Sequence, residues 1–269
     1  MHATSYILSY RGSGDPARHA NLVAVLQWLK LQQLAEIILV EQDVASTLVG
    51  TTDVQGVRSV FAYNPGPFNK SWGFNIGTRL ARGSLLAFGD ADTMCRGLPA
   101  AIAASRSGIP VLRAFPGLTD LDAEQSDMLR DDLSCLADPS FALAAQPDRV
   151  TQGEHLPLCS GVVIFQRAYV SLLGGWDERF HGWGGEDDAM TVKVERAGLP
   201  LRIAANTQGF HLHHRRADAA LAPDALYRGN LAILAQLRTM PDTALKRMCE
   251  IAWQIAGNPD MHRPMEKLA

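Results

Sequence analysis

The chain of 269 residues has four cysteines, Cys95, Cys135, Cys159 and Cys249, and no two of them stand in CxxC spacing. That argues against a zinc ribbon or a secreted disulfide framework, and it fits a reducing cytoplasmic setting. Long apolar runs are also missing. Tyr6-Ile7-Leu8-Ser9-Tyr10 is too short for anything but a strand, and no basic segment followed by an apolar stretch opens the chain. No membrane span is therefore expected, which leaves peripheral membrane contact open. Neither sign of charge dominates: 25 Lys and Arg stand against 28 Asp and Glu, a net charge of -3. Nucleic acid is not an expected partner on that balance. Phosphate-binding glycine motifs are absent too, with no P-loop and no GxGxxG behind the first strand.

What is present describes an ordinary globular protein, 47% hydrophobic and 20% charged, without internal repeats. The first hundred residues alternate strand-like and helix-like segments, the pattern of βαβ units on a mostly parallel sheet flanked by helices. Strands are expected at Tyr6 to Tyr10, Ile37 to Glu41, Val57 to Ala62 and Leu85 to Gly89. Leu22, Val25, Leu26, Leu29 and Leu34 mark a helix between the first two strands, and Trp72, Ile76 and Leu80 mark another over Asn69 to Arg82. A polar helix is expected from about Asp122 to Ala137, and a buried strand over Gly161 to Phe165. Two amphipathic helices follow, one marked by Leu231, Leu234 and Leu237 and one by Leu245, Met248, Ala252 and Ile255. In open α/β sheets ligands bind beyond the carboxyl ends of the strands, so Arg11, Glu41 and Asp90 should share one rim.

Three clusters could carry chemistry. Trp183-Gly184-Gly185-Glu186-Asp187-Asp188 sets three acids behind two glycines and a tryptophan. The glycines allow backbone conformations that bring carboxylates close to a ligand, although acids before a helix also complement its dipole. Asp90-Ala91-Asp92 follows an apolar strand, and paired carboxylates at a strand end suit Mg²⁺ or Mn²⁺ bridging phosphates. His211-Leu212-His213-His214 adds imidazoles, and a mixed carboxylate and imidazole set favours Mn²⁺ over Mg²⁺. Arg11, Lys70 and Arg79 could neutralise a pyrophosphate. A pairing of His181 with Cys159 has no supporting pattern around the cysteine.

With these residues in place the chain resembles the β-1,4-galactosyltransferase family and its bacterial chondroitin-polymerase-like relatives, enzymes of the GT-A fold. Phe68-Asn69-Lys70 through Asn75-Ile76-Gly77 looks like the family's FNR...NVG segment, Phe88-Gly89-Asp90-Ala91-Asp92 like its DxD strand, and Gly182 to Asp188 like its GWGGEDD loop. Weaker echoes at Ser9-Tyr10-Arg11, Val40-Glu41-Gln42 and Ser160-Gly161-Val162 extend the likeness over roughly residues 5 to 216. The resemblance implies a metal-dependent, inverting transfer of a sugar from a UDP-linked donor to a hydroxyl of a glycan or other acceptor. It implies Asp187 as catalytic base, with Trp183, Gly185, Glu186 and Asp188 at the acceptor. Arg11, Glu41, Lys70, Asn75, Asp90, Ala91 and Asp92 would surround the nucleotide sugar. Asp92 would hold the metal with His211 and His214, the former at a position where the family has methionine, and His213 is a spare candidate.

The implied organisation is a GT-A domain over residues 1–222, its nucleotide-binding half about 1–105 and its acceptor-binding half about 106–222, with a helical extension over 223–269 packed on the core. Two other classes stay open. A sugar-phosphate nucleotidyltransferase should show a glycine- and lysine-rich first loop, which Arg11-Gly12-Ser13-Gly14-Asp15 matches poorly. A non-catalytic glycan-binding protein would tolerate loss of the base or metal residues, all of which are present.

Overall fold

The alternation of apolar strands and helices builds the expected layers in a computed structural model that describes residues 3–12, 14–48, 50–141, 157–158, 161–215 and 225–263. The first half of the chain runs β1 (Thr4–Tyr10), α1 (Pro16–Lys30), β2 (Glu36–Asp43), β3 (Arg58–Tyr63), α2 (Lys70–Leu80), β4 (Leu85–Asp90), β5 (Thr93–Arg96) and α3 (Leu98–Arg106). Then come β6 (Val111–Arg113), β7 (Leu118–Asp120), α4 (Ala123–Asp131), β8 (Val163–Gln166), α5 (Arg167–Leu172), α6 (Glu186–Arg196), β9 (Leu201–Ile203), β10 (Gln208–His211), α7 (Ala225–Thr239) and α8 (Asp242–Ile255). The main sheet has the order β3-β2-β1-β4-β8-β6-β9. Its first four strands are parallel, and β8 runs antiparallel to both β4 and β6. This is a GT-A, Rossmann-like arrangement. The parallel register aligns Tyr10 with Glu41 and Ser9 with Asp90, so the ends of β1, β2 and β4 meet at one rim.

Side-chain alternation assigns each face of the sheet its own core. Tyr6 and Leu8 of β1 pack with Leu22, Leu26 and Leu29 of α1, whereas Ile7 faces Trp72 and Ile76 of α2 together with Phe88, Phe165 and Trp176. A third cluster joins Phe180, Ala189 and Val192 to Leu234, Leu237, Leu245 and Cys249, so α7 and α8 cover α6 and the segment before it. Helix α2 lies unusually close to the sheet. A Cβ on Gly73 would stand 2.0 Å from Ser9 Oγ, and one on Gly77 would stand 2.3 Å from Ile7 Cγ2. Those two glycines let the helix descend onto β1, which sets the height of Lys70 above the rim.

Several boundaries moved for local reasons. Asn69 is the N-cap of α2, its side chain accepting from Trp72 N, and the helix closes at Ala81. The polar helix after Asp122 breaks at Asp132, whose extended backbone and side-chain cap on Ser134 N start a separate 3₁₀ turn over Leu133–Ala137. The strand expected from Gly161 begins at Val163, since Gly161 has a φ of 108° and rests on the ring of Phe115. Leu34 falls beyond α1, which ends at Lys30. No helix among the described residues is long and apolar enough to cross a membrane.

Candidate functional site

The histidine cluster and the DxD segment meet through a second, small sheet of order β5-β10-β7. Antiparallel register sets His211 opposite Thr93, and parallel register sets it beside Asp120. Asp92 is thereby delivered to the histidines: Leu212 N donates to its carbonyl at 2.8 Å, His214 Nε2 lies 3.1 Å from Oδ2, and His211 Nε2 lies 3.8 Å from Oδ1. One ligand atom from each of Asp92, His211 and His214 falls within 4.8 Å of the others.

The remaining ring nitrogens both meet oxygen acceptors, His211 Nδ1 at 3.0 Å from Asp120 Oδ1 and His214 Nδ1 at 3.0 Å from the Arg215 carbonyl. A proton held on Nδ1 leaves both Nε2 lone pairs facing Asp92, the tautomer that metal-bound histidines adopt. Burial works against the Asp92 carboxylate, but when the imidazoles are doubly protonated the His214 Nε2–H bond and the field of His211 hold its pKa down at about 2. His213 is exposed, and its backbone N–H donates to Ser126 Oγ.

The acidic loop lies on the other side of the rim. Gly182, Gly184 and Gly185 have φ of 70°, 94° and 93°, the left-handed region, and α6 begins directly behind them with Glu186, Asp187 and Asp188 in its first turn. The acids therefore sit at the positive end of a helix, as the dipole argument expects, and two of them also converge on one cation. Lys70 Nζ lies 2.8 Å from Glu186 Oε1, 3.2 Å from Asp187 Oδ1 and 3.4 Å from Asp90 Oδ1. Burial disfavours the ammonium, yet Asp187, Asp90 and Glu186 hold its pKa well above the ordinary value. Burial also raises Asp187, to about 7, with Lys70 opposing the rise and Glu186 and Asp90 adding to it. Asp90 is raised in the same way, by burial against the pull of Lys70.

Other expected residues are placed differently. Arg11 reaches the rim, but its guanidinium donates to the carbonyls of Gln42, Gly66 and Asn64, tying the end of β1 to β2 and the turn after β3. Glu41 is 1% exposed and accepts from Ser46 Oγ, Thr47 N and Thr47 Oγ1. Asn75 is buried, donating to the Trp176 carbonyl and Glu178 Oε1 and accepting from Trp176 N, so its amide is committed to holding the segment before the acidic loop. Arg79 is away from the rim: it hydrogen-bonds the carbonyls of Ala256 and Trp253 and covers the Trp253 ring at 4.0 Å. A pyrophosphate role for Arg79 does not survive this placement, because its charge is used to anchor the end of α8. Ala91 occupies the turn between β4 and β5, and Trp183 is 75% exposed at the mouth of the loop. Cys159 and Ser160, raised above as a reactive pairing and a family echo, lie outside the described residues.

Sequence reasoning missed Asp120, whose signal was only an acid ending a three-residue strand, and Asn21, which donates to the carbonyls of Leu212 and His213 and steadies the histidine segment. It also missed Asn230 and Tyr227 of α7. Asn230 hydrogen-bonds the backbone of the acidic loop, and the Tyr227 ring lies 5.4 Å from that of Trp183.

Residues 152–215 match the family model described as the N-terminal domain of galactosyltransferase, a stretch that contains both the acidic loop and the histidines. A validoxylamine A glucosyltransferase of Streptomyces hygroscopicus subsp. jinggangensis is 35% identical over 48 residues, 18% of this chain and 11% of that enzyme. The chain thus matches about a tenth of the length of this curated relative. The catalytic domain of Drosophila β1,4-galactosyltransferase 7, solved with xylobiose, superimposes with a TM-score of 0.54 at 17% identity, covering 86% of this chain and 80% of that one. Glucosyl-3-phosphoglycerate synthase of Mycobacterium tuberculosis, solved with Mn²⁺, UDP-glucose and phosphoglyceric acid, gives 0.55 at 17% identity over 90% and 81%. The chain has the GT-A glycosyltransferase fold and carries, over residues 152–215, the sequence pattern of a galactosyltransferase domain.

Proposed function

We propose that this protein is a metal-dependent, inverting glycosyltransferase that moves a sugar from a UDP-linked donor to a hydroxyl of a glycan or another acceptor in the cytosol. The observation that carries the reading is the Lys70 ammonium, which bonds Asp90 on the DxD rim and Glu186 and Asp187 on the acidic loop at once. Two motifs more than ninety residues apart are thereby halves of one site. The structural neighbours support the donor class: one is solved with Mn²⁺ and UDP-glucose, and a Drosophila β1,4-galactosyltransferase 7 variant with manganese, UDP-galactose and xylobiose. Residues 1–222 would form the transferase domain, with 223–269 as an extension.

Asp92, His211 and His214 fit a divalent cation. They offer one carboxylate and two imidazoles, with both Nδ1 atoms already bonded to oxygen and both Nε2 atoms facing the carboxylate. A bound Mn²⁺ or similar ion would supply positive charge against the diphosphate as it departs. The chain's own residues do the rest. Asp187 accepts the proton from the acceptor hydroxyl as that oxygen attacks, and a carboxyl raised to about 7 is a stronger base than an ordinary aspartate. Lys70, bonded to Asp187 Oδ2 at 3.2 Å, orients that carboxylate and favours its ionised form. Glu186 and Asp188 hold acceptor hydroxyls, and exposed Trp183 supplies a flat wall for a sugar ring.

The test is nucleotide release from a panel of nucleotide sugars with Mn²⁺, with Mg²⁺ and with EDTA. One preferred UDP-sugar, turned over with metal and not with EDTA, is the expected result. Metal-independent hydrolysis of unrelated phosphates, or no release from any donor, would overturn the reading.

A further inference from the structure

The acidic loop contains three glycines with positive φ, a combination that leaves a free segment with many accessible conformations. Its conformation must be imposed from outside. Among the described residues, Gly182 N donates to the Phe68 carbonyl at 2.7 Å, α6 opens with Ala189 N on the Gly185 carbonyl at 2.8 Å, and Lys70 of α2 bonds Glu186 and Asp187. Further support comes from α7, which lies beyond the stretch that matches the galactosyltransferase model.

Asn230 of α7 is 3% exposed and faces the loop. Its Nδ2 donates to the carbonyls of His181 and Gly184, each at 2.9 Å, and more weakly to that of Trp183 at 3.3 Å. Its Oδ1 accepts from His181 N at 3.2 Å. One amide thus satisfies backbone groups on both sides of Trp183, which stands three residues before the first acid. One turn earlier on the helix, the Tyr227 ring lies 5.4 Å from the Trp183 ring at 30° between planes. A Cβ on Gly184 would stand 2.9 Å from Tyr227 Cε2, so the glycine also provides the space into which that ring fits.

We propose that Asn230 is a positioning residue for sugar transfer: α7 sets the conformation of the Trp183 loop through the Asn230 amide, with Tyr227 backing the Trp183 ring, and so places Asp187 for the acceptor. This rests on the transferase reading for its kinetic consequence, not for the loop's dependence on α7. Amide bonds to several backbone groups of one loop favour a single loop geometry, because a carbonyl that loses its partner away from water bears a desolvation cost. Misplacement of a reacting group by about 1 Å can cost up to roughly a hundredfold in rate.

The experiment uses the full chain labelled with 5-fluorotryptophan, with the Trp183 ¹⁹F resonance identified by Trp183→Phe. In Asn230→Ala the Trp183 resonance should broaden or shift while those of Trp28, Trp72, Trp176 and Trp253 stay in place. Affinity for UDP in Mn²⁺ should remain within about twofold, while turnover of the preferred UDP-sugar falls by about ten- to a hundredfold. Asn230→Asp keeps the acceptor for His181 N and loses the donated bonds, and should behave like the alanine variant. If Asn230→Ala does not fold, Asn230→Asp and Tyr227→Ala carry the same comparison. An unmoved Trp183 resonance would overturn the proposal, as would UDP affinity falling in parallel with turnover, which marks general damage. A wild-type protein that turns over no nucleotide sugar defeats the transferase reading instead, and the ¹⁹F comparison still decides whether α7 holds the loop.

Discussion

The two sides of the candidate site are held by different means. The Asp92, His211 and His214 side is built by strand register: pairing of β10 with β5 and β7 sets His211 against Thr93 and Asp120, and the ladder leaves each residue little choice. The Trp183 side is a glycine-rich loop whose shape depends on side chains of other elements, Lys70 from α2 and Asn230 and Tyr227 from α7. A ladder distributes its support over many backbone bonds, whereas the loop concentrates it in a few side chains. Single substitutions should therefore act locally and sharply on the loop side, and in graded fashion on the metal side.

The largest expected effect is at the loop. Asp187→Asn should lower turnover by roughly two to four orders of magnitude while UDP and Mn²⁺ binding hold, measured by steady-state release and by calorimetry. Near-normal turnover would remove Asp187 as the base. Next is the metal side, where His214→Ala should shift the Mn²⁺ titration further than Asp120→Asn does. The latter removes only the negative charge from the acceptor of His211 Nδ1, leaving the ligands in place, and should cost about 10-fold to 100-fold in metal affinity. Equal effects of the two would break the distinction between ligand and support.

The pH profile comes third. Because the carboxyl of Asp187 is raised to about 7, its base form is lost as pH falls through that value, so turnover should drop about tenfold per pH unit on the acid side and level off above it. In Lys70→Met, which removes the opposing cation, the acid limb should move to higher pH. A limb that stays where it was would separate the two residues. The smallest effect is on stability: Gly184→Ala forces a Cβ into a left-handed conformation against Tyr227 and should cost about 1–3 kcal/mol in denaturant unfolding.

Much of this arrangement was legible in the sequence. The strand positions came from apolar runs, and the expected rim of Arg11, Glu41 and Asp90 follows from parallel strands ending together. The three chemical clusters were visible because each is local. What stayed hidden was how the polar side chains use their hydrogen-bonding capacity. Glu41, Asn75 and Arg11 look like ligand-binding groups in a string of letters, and in three dimensions each is bonded to neighbouring chain segments. Asp120 and Asn230 carry no motif at all, since their importance lies in partners 91 and 49 residues away, reached only when β10 pairs with β7 and when α7 packs beside α6.

The sequence by itself determined the alternating sheet, the acids at the ends of β4 and the glycine loop, and the histidines two apart and three apart behind them, because these depend on local propensity, periodicity and spacing. Only the tertiary structure decided that His211 and His214 face Asp92 while His213 turns outward, that Lys70 joins Asp90 to Glu186 and Asp187, and that α7 grips the loop. The physical reason is the same in each case: a hydrogen bond or ion pair acts over about 3 Å, and which groups come that close is set by register and helix packing between segments far apart in the chain.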